Sequence, residues 1–149
     1  MAFSKLTWGV KASFRNYVEA AEGTIEVSDG ASRTEEGTFV FAALPGGDLE
    51  ISADGATGSM HFKGAVTFEA HGGMLNSTLT GLAVEASDEG LVISVVDMPV
   101  GQDRCAIATL EVIESGEQVT FSSQITMDGM YQIADNYPPG TELDPVLLS

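Results

Sequence analysis

The sequence predicts an all-β protein, mainly antiparallel and sandwich-like, with one N-terminal helix and a short irregular or helical C-terminal segment. Three observations predict it. Runs of strand length, apolar at alternate positions, fill the middle of the chain. Turn signals such as Asp29-Gly30, Pro45-Gly46-Gly47 and Gly72-Gly73 separate them about every ten residues. The 17 glycines, with few charges and many Thr, Val and Ser, argue against a helical bundle. A chain of 149 residues suits one domain over 1–149 and can bury a real core.

The helix is expected from Ser4 or Thr7 to Glu22. Either residue can cap its start, and Gly23 can close its end in a left-handed conformation. Val10, Phe14, Tyr17, Val18 and Ala21 share one helical face, with Lys11 and Arg15 four apart on its flank. Gly9 costs helix stability but lets something bulky approach the backbone. Period two then takes over. Strands are expected at 24–28, 38–44 and 49–53, the last two pairing across the turn at 45–48. The longest is expected at 59–71, where Met60, Phe62, Val66 and Phe68 alternate with His61, Lys63, Thr67 and Glu69. Further strands are expected at 74–86, 91–98, 104–114 and 118–125, with loops at 54–58 and 99–103. Residues 127–135 read as irregular or briefly helical. Asn136-Tyr137-Pro138-Pro139-Gly140 cannot be a central strand. A sandwich or a barrel satisfies this pattern.

The formal net charge of −16 disfavours nucleic acid and anionic membranes. No apolar run is long enough to cross a bilayer. The opening Met1-Ala2-Phe3-Ser4-Lys5 lacks the layout of a secretory signal, so the sequence as written reads as cytoplasmic. A lone cysteine, Cys105, allows neither an internal disulfide nor a thiolate metal cluster, and reads as a small buried hydrophobe. Three of the six basic residues, Lys5, Lys11 and Arg15, fall in the first fifteen positions. That cluster can hold a specific anion or simply support the helix.

Serine nucleophile elbows, P-loops and dinucleotide fingerprints are absent. Asp29, Asp54 and Asp128 lie in Asp-Gly turns without the spacing of a calcium loop. Tyr17, His71 and His61 remain. Taken alone, Tyr17 reads as an aromatic at the core edge with a hydrogen-bonded hydroxyl. His71 reads as a polar residue where a strand meets Gly-Gly, a place that admits close approach of a ligand. His61 reads as solvated.

Three blocks carry a family resemblance. The first is Trp8-Gly9-Val10-Lys11 with Ser13-Phe14-Arg15 and Tyr17-Val18. The second is Phe62-Lys63-Gly64-Ala65-Val66-Thr67-Phe68 running to His71-Gly72-Gly73 and Leu75. The third is Tyr137-Pro138-Pro139-Gly140-Thr141-Glu142-Leu143-Asp144-Pro145. Gly37-Thr38-Phe39-Val40-Phe41 also fits. In this order, over nearly the whole chain, they resemble the HtaA-type haem-binding domain family.

The resemblance implies a β-rich haem-binding or transfer module that holds ferric haem b. Tyr17 would be the axial ligand, and His71 would hydrogen-bond to its oxygen. Lys11, Arg15 or Lys63 would meet the propionates. Trp8 and Phe14, with Met60 and Phe68, would cover the porphyrin, and Ser13 would line the site. Haem and another haem-carrier protein are the implied partners, and family precedent is secreted or cell-surface. Without iron, the same pocket would suit an isomerase or hydratase with Tyr17 as acid and His71 as base. It would equally suit a carrier for an apolar small molecule. A homodimer is compatible with an exposed sheet edge.

Overall fold

A computed structural model describes residues 3–52, 55–88, 90–96, 103–133 and 137–149. The turn at Asp54, Met98 and most of the loop expected at 99–103 lie outside the described residues, as do Asp135 and Asn136.

The chain opens with strand β1 (Lys5–Trp8) and helix α1 (Ala12–Ala20). Strands β2 (Thr24–Ser28), β3 (Ser32–Arg33), β4 (Phe39–Ala43), β5 (Glu50–Ser52) and β6 (Gly55–Thr57) follow. Then come β7 (Ser59–Lys63), β8 (Ala65–Ala70), a 3-10 turn (His71–Gly73) and β9 (Leu75–Thr80). The last elements are β10 (Ala83–Ser87), β11 (Gly90–Val96), β12 (Arg104–Glu114), β13 (Val119–Ile125), helix α2 (Met127–Gln132) and β14 (Glu142–Leu148).

The protein is all-β with antiparallel pairing throughout and an N-terminal helix. The main sheet runs β1-β14-β13-β12-β11-β10-β7-β4, and β4 pairs back onto β1, closing an eight-stranded barrel with β3 appended to β4. Closure removes the free edges that an open sheet would present. A second sheet, β2-β8-β9, lies outside the barrel, with α1 packed on it. The barrel interior and the space beneath this sheet share one buried cluster, in which Leu6, Trp8, Phe39, Phe41, Phe62, Phe68 and Phe121 are fully covered.

Four sequence expectations are corrected. The helix does not begin at Ser4 or Thr7. Leu6 and Trp8 point into the barrel while Lys5 faces solvent, a period-two pattern that forms β1. The chain then turns at Val10, which adopts a left-handed φ of 64°, a conformation that is costly for a β-branched residue. At the helix end the left-handed residue is Glu22, at φ 60°. Gly23 follows it, and its amide donates to the Val18 carbonyl at 2.8 Å.

The strand expected at 59–71 is two strands. Gly64, at φ 119°, passes so close to Ala31 that a Cβ would lie 2.7 Å from the Ala31 methyl. The chain bends there and leaves the barrel, so β7 belongs to the main sheet and β8 to the outer one. The strand expected at 74–86 likewise breaks at Gly81-Leu82 into β9 and β10. The third correction is pairing: β5 pairs with β6, not with β4. The fourth is β14, a strand beyond the last one expected, at 118–125. It runs between β1 and β13, with Pro145 in a register shift where β13 pairs Phe121 with Val146 and Ser123 with Leu143. A bulge is where a sheet accepts a residue lacking an N–H.

Candidate functional site

Helix α1 and the end of β8 bring Tyr17 and His71 together. On α1, Phe14 and Val18 are buried and Tyr17 emerges at the rim, 46% exposed. Phe14 packs on Phe68 of β8 with ring centroids 4.9 Å apart, and its other edge meets the Tyr137 ring at 6.2 Å. Along β8 the next element is the 3-10 turn that begins at His71.

Tyr17 Oη lies 2.6 Å from His71 Nε2, and the His71 tautomer decides which atom donates. The rings are inclined at 57° with centroids 5.6 Å apart. His71 has a left-handed backbone, φ 54°, and Gly72 and Gly73 continue the left-handed run. A non-glycine residue held so is strained, and such strain collects at functional positions. A groove of about 330 Å³ adjoins His71, lined also by Glu22, Thr24 and Glu69; Tyr17 does not line it. Met74, whose amide bonds to the His71 carbonyl at 3.3 Å, is 91% exposed beside it.

The other residues singled out in the sequence fall elsewhere. Trp8, Phe14 and Phe68 are buried core residues that back the site and do not face it. Met60 is also buried. Ser13 is exposed, one helical turn before Tyr17. His61 is exposed on β7, and Lys63 lies along the Gly30 backbone at the far end of β8 from His71.

Lys11 and Arg15 reach the C-terminal strand. Lys11 Nζ donates to the Glu142 carbonyl at 2.7 Å and sits over the Tyr137 ring. Arg15 is 8% exposed. Its Nη1 donates to the Gly9 carbonyl and to Asp144 Oδ2, both at 2.7 Å. The bulky group that Gly9 admits is this ion pair, since a Cβ there would lie 2.2 Å from Arg15 Nη1 and 2.4 Å from Asp144 Oδ2. Asp144 and Met74 were not singled out from the sequence. Asp144 lies in the third block quoted above, and Met74 directly follows the His71-Gly72-Gly73 signal.

Among the described residues no cluster of three or more His, Cys, Asp and Glu side chains could hold a metal ion, and no helix is long and apolar enough to cross a membrane. What the molecule offers is a phenol oxygen and a histidine nitrogen in contact at an exposed surface, a donor pair that could serve an iron-bearing group.

Fold and site together define a closed antiparallel barrel carrying an outer three-stranded sheet and a helix that presents an exposed tyrosine–histidine pair. A family model described as Htaa matches residues 4–149, and the chain belongs to the HtaA family. Three solved structures from Corynebacterium glutamicum share the fold. The C-terminal domain of HtaA is 26% identical, with TM-score 0.73, covering 98% of this chain and 95% of that one. The N-terminal domain of HtaA is 24% identical, with TM-score 0.75, covering 99% and 97%. The heme binding protein HtaB is 21% identical, with TM-score 0.73, covering 98% and 91%. A search of curated proteins gave no match.

Proposed function

We propose that this chain binds ferric haem b, with Tyr17 as axial ligand and His71 as the hydrogen-bond donor to its oxygen. The observation that carries the reading is the 2.6 Å approach of Tyr17 Oη and His71 Nε2 on an exposed face. Membership of a family whose solved members include a heme binding protein supports it.

When bound, ferric haem supplies a Lewis-acidic centre that favours phenolate over phenol. Tyr17 would hold the iron through Oη, its proton passing to solvent, and would present a hard anionic oxygen. A free phenol holds that proton at neutral pH, so the second partner matters. His71 in its Nε2–H form donates to the oxygen and fixes the ring orientation. Met74 offers apolar surface beside the pair for part of the porphyrin. Lys11 and Arg15 hold the helix that carries Tyr17 to β14. A site this open lets the ligand leave with little rearrangement, which suits transfer to another haem carrier.

The test is a hemin titration of the wild type, Tyr17→Ala and His71→Ala, followed at the Soret band. The wild type saturates at one equivalent. Tyr17→Ala loses most of the affinity, and His71→Ala loses about 10–100-fold, as removal of a ligand's supporting partner usually costs. Equal affinity in the wild type and Tyr17→Ala would overturn the assignment.

A further inference from the structure

We propose that Asp144 is a positioning residue for Tyr17: it caps α1 from the opposite end of the sequence and sets where the tyrosine stands. The inference rests on the haem reading only for its consequence in binding.

Helix α1 has nine residues, too few to hold itself in water. Its N-cap residue, Lys11, makes no side-chain cap, and its first turn carries no acid. Asp144 supplies both. Its Oδ1 accepts the Ala12 amide at 2.9 Å, a helix N-terminal N–H that would otherwise lack an acceptor. Its Oδ2 accepts from Arg15 Nη1, one turn along the same helix. The charge sits where the helix dipole favours an anion.

Asp144 is itself held rigidly. Its amide donates to the Val10 carbonyl at 2.9 Å. Its carbonyl accepts from Trp8 Nε1 at 2.9 Å and from Ser123 Oγ at 2.6 Å. The bulge at Pro145 is what turns this stretch of β14 out of the regular ladder. Tyr17, by contrast, is half exposed and inherits its position from the helix that carries it. The 2.6 Å approach to His71 therefore depends on a helix anchored by Asp144 at its N-terminus and by the Phe14–Phe68 contact in its first turn. The same network accounts for Trp8-Gly9, Arg15 and Asp144-Pro145 together: an indole that donates to the Asp144 backbone carbonyl, a residue without a side chain that leaves room, and a guanidinium on the Asp144 carboxylate beside the bulge.

The test compares haem-free wild type, Tyr17→Phe, Asp144→Asn and Ala12→Pro. The substitution at Asp144 is isosteric. Proline is favoured at the first helical position and removes the N–H that Asp144 accepts, putting a ring carbon in its place. Extended Lys11, at φ −158° and ψ 124°, is compatible with a following proline. Circular dichroism confirms folding, and the His71 ring nitrogen resonances report the bond to Tyr17. The expected result is that Asp144→Asn is folded and moves the His71 Nε2 signal toward its value in Tyr17→Phe. Hemin affinity then falls about tenfold or more. A folded Asp144→Asn with wild-type His71 resonances and wild-type hemin affinity would overturn the proposal. If that variant does not fold, Ala12→Pro decides by the same criterion. A wild type that shows the His71 signal of a bonded ring yet takes up no hemin would overturn the haem reading and leave the role of Asp144 standing.

Discussion

Phe14 and Phe68 pack with ring centroids 4.9 Å apart, and this contact sets the spacing of the site. Tyr17 is three residues beyond Phe14 on α1, and His71 is three beyond Phe68 on β8. Two buried rings thus register the helix against the strand, and two exposed rings meet at the rim. Phe39 joins from the barrel, 5.8 Å from Phe68 and edge-on, so the outer sheet is tied to the barrel at the same point.

Phe68→Ala empties the centre of that contact. It is expected to cost about 3–5 kcal/mol in urea denaturation, the usual range for a buried phenylalanine. It is also expected to weaken hemin binding, because fully buried Phe68 sets the spacing of Tyr17 and His71. A folded Phe68→Ala with unchanged hemin affinity would separate core packing from site geometry.

His71→Gly tests the strain at φ 54°. Glycine accepts that conformation freely, whereas alanine does not. His71→Gly is expected to hold or raise stability, by up to about 1 kcal/mol. His71→Ala is expected to hold or lower it. Both lose hemin affinity to a similar extent. Thermal denaturation of the two variants side by side measures the difference.

The amino-acid sequence made several of these features readable and hid others for definable reasons. Strand β12 falls on residues 104–114 as expected, and β2 on 24–28, because clear turn signals bound both. The Tyr17–His71 pairing came from the resemblance, since each residue alone had a structural reading. Strand β1 was hidden because Leu6 and Trp8 satisfy period two, while Val10 and Phe14 beyond them extend a helical spacing. Only the left-handed turn at Val10 separates the two, and no local propensity announces it. Gly64 was hidden because a glycine at an alternating position looks like a strand residue. Its role comes from the distant Ala31. Strand β14 lies beyond the last strand expected, at 118–125, and its Pro145 falls in a register shift that a sheet tolerates. The burial of Trp8 in the barrel, and of Phe14 against Phe68 between α1 and the outer sheet, was not legible because it depends on contacts between distant elements.

Gly9→Ala drives a methyl into the Arg15–Asp144 pair, with contacts of 2.2 and 2.4 Å to relieve. Overpacking of this kind costs about 1–3 kcal/mol. The expected outcome in chemical denaturation is a loss in that range. A neutral result would show that the pair can move aside without cost.

Asp144→Ala removes the partner of a buried guanidinium. The two side chains are only 10% and 22% exposed, and Arg15 would keep the Gly9 carbonyl alone. Leaving a buried charge uncompensated typically costs about 3–5 kcal/mol, and partial exposure places the expected loss at the lower end. The double variant Arg15→Met with Asp144→Ala is expected to recover part of it, because no charge is then stranded.

The most direct measurement is the spectrum of the ferric hemin complex for the wild type and Tyr17→Phe, by visible absorption and resonance Raman. The account predicts a tyrosinate-to-iron charge-transfer band and phenolate vibrations in the wild type, both absent from Tyr17→Phe. The same bands in both proteins, or no saturable complex with the wild type, would contradict it.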